Sequence, residues 1–153
     1  VVSGERSLAV PALGALRIPA TDLFGAFFDT TYAFRFGPPS HDVTVARLTD
    51  AGTGRLVAEA CHFPLGRDRA MHDTPIEARV EEEDGRWILL LSSPVFAQSI
   101  HIEVDGFRPE DDWFHLAPGS SRRIALAPRD ATAASRRPAG TIAQFGARKL
   151  VSF

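Results

Sequence analysis

Short runs of alternating side chains, each closed by turn-forming residues, constrain this chain more than any other feature. Thr31, Ala33 and Arg35 alternate with Tyr32, Phe34 and Phe36. Val43 and Val45 oppose Thr44 and Ala46, and Ile76, Ala78 and Val80 oppose Glu77, Arg79 and Glu81. Ile100, Ile102 and Val104 oppose His101 and Glu103, and Ile124 and Leu126 repeat the pattern. Successive side chains of a strand point to opposite faces, so period two means a strand with one face in a core. Between the runs lie Gly37-Pro38-Pro39-Ser40, Asp50-Ala51-Gly52, Asp84-Gly85, Asp105-Gly106 and Pro118-Gly119-Ser120, all with turn chemistry. Many short strands at fairly even spacing predict an all-β chain built as an antiparallel sandwich or barrel.

Helix has little room. Residues 20–28 suit a single turn capped by Thr21 or Asp22. The Ala/Ser-rich stretch 129–137 suits a turn of helix or a loop. A boundary is expected at Met71 to Pro75: His72-Asp73-Thr74-Pro75 is polar, Pro75 biases Thr74 toward extended backbone, and a new alternating run follows. The expected organisation is two modules, 1–74 and 75–153.

Apolar residues make up 44% of the 153, enough to pack a core, and the net charge is -2. That balance argues against a nucleic-acid partner, which needs a cationic surface to displace counterions from phosphates. The longest apolar run, residues 87–91, falls far short of the ~20 residues that span a bilayer, so no membrane partner is expected. Cys61 is the only cysteine. It excludes an internal disulfide and suits a reducing compartment such as the cytoplasm. Asparagine is absent and Lys149 is the only lysine.

Convergent chemistry is scarce. There is no Gly-rich phosphate loop and no nucleophile elbow, so no cofactor is implied. Cys61 and His62 are adjacent, and on a strand they face opposite ways, which suits a half-buried thiol beside a solvent-facing ring rather than a thiolate–imidazole pair. His101 and Glu103 share a strand face, but a third metal ligand has no evident source, and a polar outer face explains them better. The acidic run 81–84 and the pairs Arg122-Arg123 and Arg136-Arg137 suit solvated surface. Trp87 is expected to anchor the core. Asp111-Asp112-Trp113-Phe114-His115 is the most suggestive segment. An indole can stack on the apolar face of a sugar while carboxylates take hydroxyls, with Trp113, Asp111, Asp112 and His115 as the binding residues and Tyr32 and Trp87 as further aromatics. The same letters fit a structural corner, with aromatics in the core and acids capping the turn. The structural reading is preferred, and exposure of Trp113 beside a coplanar neighbour would favour the glycan.

The run from Asp22 to Val43, DLFGAFFDTTYAFRFGPPSHDV, resembles the penultimate β-domain of bacterial β-mannosidases of glycoside hydrolase family 2. Residues 87–93 and Val95-Phe96-Ala97 resemble the first strands of the family's C-terminal immunoglobulin-like domain. Asp112-Trp113-Phe114-His115-Leu116-Ala117-Pro118-Gly119 resembles that domain's corner, with the usual Asn replaced. Gly140-Thr141-Ile142 resembles its last strand.

The resemblance implies immunoglobulin-like antiparallel β-sandwich modules. Residues 1–74 would be a penultimate domain lacking its leading strands, and 75–153 the C-terminal domain. Family enzymes hydrolyse terminal β-mannosides with retention, using two carboxylates about 5 Å apart on a barrel of roughly 250 residues. This chain is too short for that barrel, and it has no Asn to precede an acid/base Glu. No catalytic residue carries over. The implied role is an accessory region whose partner is the catalytic barrel of the same parent chain. A glycan-binding module and a generic immunoglobulin-like interaction domain are the alternatives. A first module without its leading strands would expose a sheet edge and invite self-association.

Overall fold

The computed structural model describes residues 2–69 and 73–153. Met71 and His72, part of the expected boundary, lie outside the described residues. The chain divides into two compact units, Val1–Ala70 and Met71–Phe153.

The first unit holds a 3-10 turn, Ala20–Leu23, and one antiparallel hairpin of β1 (Thr44–Thr49) and β2 (Leu56–His62). The turn starts from Pro19, with no side-chain cap, so neither Thr21 nor Asp22 has the capping role expected of it. Asp50 organises the hairpin loop. Its Oδ1 accepts the backbone N–H groups of Gly52 and Thr53 at 3.1 and 2.8 Å. Among the described residues, no further strand pairs with either edge of this hairpin.

The alternating run 31–36 is not a strand, contrary to expectation. Asp29 competes for its backbone: Oδ1 accepts from the N–H groups of Thr31 and Tyr32 at 3.0 Å each, and Oδ2 from Phe34 at 3.2 Å. A short acidic side chain that captures three donors within four residues replaces the ladder with a turn. Ala33 sits at φ +55° and is buried, while Tyr32, Phe34 and Phe36 are exposed.

The second unit is a sandwich of two antiparallel four-stranded sheets. Its strands are β3 (Glu77–Glu83), β4 (Arg86–Ser93), β5 (Ala97–Val104), β6 (Phe107–Pro109), β7 (Phe114–Leu116), β8 (Ser120–Pro128), β9 (Gly140–Gln144) and β10 (Val151–Ser152). One sheet has the order β3-β4-β8-β6 and the other β10-β9-β5-β7. With β7 set aside, the strands in chain order occupy positions A to G of an immunoglobulin constant-type sandwich, A-B-E-D against G-F-C. β7 extends the second sheet beside β5.

Local chemistry explains these elements. Asp84 and Gly85 both have positive φ, +49° and +73°, and close the two-residue β3–β4 hairpin with Glu83 opposite Arg86. Such a turn follows the natural twist of a hairpin. Leu89, Leu91, Ile100, Ile102, Ile124 and Leu126 point inward and join Phe107, Leu116 and Ile142 in one buried cluster. Each large apolar side chain fully buried there contributes about 1.5–3 kcal/mol. Trp87 is on the inward face of β4 and packs partly buried against this cluster, so it borders the core rather than anchoring its centre. A single helical turn, α1 (Ala131–Ala134), interrupts 129–137, and Asp130 caps it by accepting the Ala133 N–H at 2.8 Å.

Candidate functional site

The segment that joins β6 to β7 carries Asp111, Asp112 and Trp113, and His115, the fourth sequence-predicted site residue, follows in β7. Asp112 fixes its shape. Its Oδ1 accepts the backbone N–H of Ile102 at 2.9 Å and that of Trp113 at 3.0 Å. Its Oδ2 lies 2.8 Å from His101 Nδ1. The carboxylate therefore stands where a neighbouring strand would pair with β5 beyond the end of β7. Asp111 turns the other way. Its Oδ1 accepts the Asp112 N–H at 2.9 Å, and its Oδ2 pairs with Arg122. The same Arg122 guanidinium lies over the Phe114 ring, 4.4 Å from its centroid. Acids cap the corner and Phe114 enters the core, as the structural reading of this segment expects.

Trp113 does not follow Phe114 inward. It is 61% exposed and has φ +59°. A bulky side chain in the left-handed region costs about 1–2 kcal/mol. The indole stacks on the imidazole of His101, with centroids 4.5 Å apart and planes 15° from parallel. His101 is thus clasped between Asp112 and Trp113. Beside this stack lies an open depression lined by His101, Glu103, Arg108, Asp112 and Arg129, among others. Arg129 is tied down by its Nε–H donating to the Phe107 carbonyl at 3.0 Å.

His115 is outside the stack. Its Nδ1 accepts the Ser99 N–H at 2.9 Å, and its ring is tilted against Phe96. The bond locks a bulge in β5: between the pairs Ala97–Leu116 and Ile100–Phe114, one residue of β7, His115, opposes two of β5, Gln98 and Ser99, and Ser99 has φ +47°. The structure thus brings Asp112 and Trp113 together around His101, leaves Asp111 on Arg122, and gives His115 a separate structural partner. Trp87 belongs to the core border, and Tyr32 lies exposed in the first unit.

His101 and Arg122 are the residues that the sequence did not assign to this corner. His101 Nδ1 is occupied by Asp112, and among the described residues no three His, Cys, Asp or Glu side chains group as metal ligands. The other members of the two arginine pairs also find partners: Arg123 pairs with Glu83, Arg136 with Asp105 at 2.7 Å, and Arg137 donates to the Val80 carbonyl at 3.2 Å.

Cys61 and His62 diverge on β2. Burial, with the nearby Glu59 charge adding to it, pushes the Cys61 thiol up to about 11. His62 is exposed, and its Nε2–H donates to the Thr31 carbonyl at 2.8 Å. No nucleophile–base pair forms there.

No protein-family model and no curated protein matches this chain.

Proposed function

We propose that this chain is a non-catalytic accessory region of a β-mannosidase-like glycoside hydrolase, whose role is to support a catalytic (β/α)8 barrel carried by the same parent protein. The observation behind this reading is the commitment of the Asp111–Asp112 pair to the fold. A retaining glycosidase needs two carboxylates facing one substrate, about 5 Å apart. Asp112 is occupied by two backbone N–H groups and His101, and Asp111 by Arg122 and a backbone N–H. The corner motif that resembles the family is therefore an architectural joint. The immunoglobulin-like strand order of the second unit supports the same reading.

The parent reading frame tests it first: a barrel with two catalytic glutamates should precede this region. Removing the region from that enzyme should lower its melting temperature and leave turnover of an aryl β-mannoside nearly unchanged. A frame without a barrel, or hydrolysis by the 153-residue chain alone, would overturn the proposal.

A further inference from the structure

We infer that Trp113, seated on His101, is a stacking platform for a pyranose ring of a neutral glycan, with Glu103 and Arg108, which line the depression that His101 borders, as the hydroxyl-binding groups for the adjoining sugar units. This goes beyond the accessory role and stands apart from it, because a sandwich module can hold a glycan whether or not it supports a barrel.

Three observations carry the inference. Trp113 is exposed at a cost: a positive φ strains its backbone while its neighbour Phe114 supplies the core contact. Strain retained at an exposed aromatic directs attention to what that aromatic does. Next, the indole is held in place before any ligand arrives. His101 backs it with a near-parallel ring, and Asp112 fixes His101 through its Nδ1. A pre-organised ring loses little freedom on binding, which conserves affinity for a weak ligand. Finally, the depression beside the stack offers unpaired polar groups of both signs. Glu103 and Arg108 line it, and neither side chain makes a hydrogen bond or ion pair with another described residue.

Charge selects the ligand class. An anion would meet Glu103 and Asp112, and a cation would meet Arg108 and Arg129, all lining the same depression. A neutral polyol meets no such conflict: its hydroxyls donate to the carboxylate and accept from the guanidinium. Its ring carbons present the apolar C–H face that an indole covers.

Titration of the 153-residue chain with mannohexaose, and separately with cellohexaose, tests this by chemical-shift changes at the indole N–H groups. At least one hexasaccharide should shift the Trp113 signal and spare that of Trp87, with a dissociation constant of about 1 mM. Trp113→Ala, followed like the other variants through the backbone amide shifts of Glu103 and Arg108 because the indole reporter is gone, should weaken binding about tenfold or more while the far-ultraviolet spectrum stays native, and Glu103→Gln should weaken it less. The inference fails if neither hexasaccharide shifts the signal at about 10 mM. It also fails if Trp113→Ala folds and binds as well as the parent. Trp113→Phe provides the second variant: it keeps a stacking ring and should retain most of the binding, and loss equal to that of Trp113→Ala would also overturn the inference.

Discussion

Asp112 and His101 meet at 2.8 Å across the edge of the second sheet, joining the β6–β7 corner to the middle of β5. The same carboxylate accepts the Ile102 N–H, so one side chain satisfies a strand edge and orients an imidazole at once. Removing it should be costly. Asp112→Ala leaves the Ile102 and Trp113 N–H groups without this acceptor and frees the His101 ring. The expected loss is about 1–3 kcal/mol, read as a lower denaturant midpoint with an unchanged slope. Asp112→Asn keeps an oxygen acceptor and should lose less.

Trp113 allows backbone strain to be separated from stacking. Trp113→Ala and Trp113→Gly both lose the His101 contact, but only glycine adopts φ +59° without penalty. The glycine variant gains entropy when unfolded, which offsets part of the relief. It should still be more stable than the alanine variant by about 1 kcal/mol in paired thermal melts. Equal stability would mean that the corner relaxes once the indole is gone.

Gly140 opens β9 where two backbones nearly touch. A Cβ there would collide with the Glu103 carbonyl and come within 2.9 Å of Val104 Cα and 3.0 Å of the Phe153 ring. Backbone atoms in a paired strand cannot step aside as a flexible side chain can. Gly140→Ala should therefore destabilise the second unit by about 1–3 kcal/mol, measured by chemical denaturation. It should also weaken the paired Gly140–Phe153 backbone bonds, 3.2 and 3.1 Å, visible as faster amide exchange at the C-terminus.

These residues also show what the sequence could and could not disclose. The β3–β4 hairpin was legible because everything that specifies it is local: an Asp84-Gly85 turn between two alternating runs. The strands β6 and β7 were not, since each has three residues and takes its conformation from distant partners, Pro128 to Leu126 for one and β5 for the other. Residues 31–36 show that equal alternation does not ensure a strand, because Asp29 offers the same N–H groups a nearer acceptor. At the candidate site, Asp111, Asp112, Trp113 and His115 stood out as neighbours in sequence. Their partners His101, Arg122 and Ser99 did not, because only the sheet register and the β5 bulge bring them there.

Cys61 should behave as an unreactive thiol although it is only partly buried. Its thiol is pushed up to about 11 by burial, with the Glu59 charge adding to the effect. At pH 8 about one thiol in a thousand is then ionised, and the thiolate is the nucleophile. Alkylation by iodoacetamide should be slow at pH 8, accelerate as the pH approaches 11, and become rapid at pH 8 after denaturation. Fast labelling of the native chain at pH 8 would show that β2 opens readily or that Glu59 is drawn away by another group.

Asp29 should make the 29–34 turn sensitive to acid. The Tyr32 N–H foremost, then those of Thr31 and Phe34, hold its carboxyl below the ordinary value of 3.8. A carboxyl whose value is depressed by folding stabilises the turn above its unfolded value and loses that contribution as the pH falls through the folded one. The turn should therefore hold at neutral pH and loosen below 3.8, when a proton competes with the three backbone donors. The group is fully exposed, so the effect belongs to local order rather than global stability. Amide exchange at Thr31, Tyr32 and Phe34, corrected for the intrinsic pH dependence, should lose protection over that range. Asp29→Ala should remove the protection at every pH. Retention of native protection in that variant would mean that Ala33, buried at 2% exposure, holds the turn by packing instead of by the carboxylate.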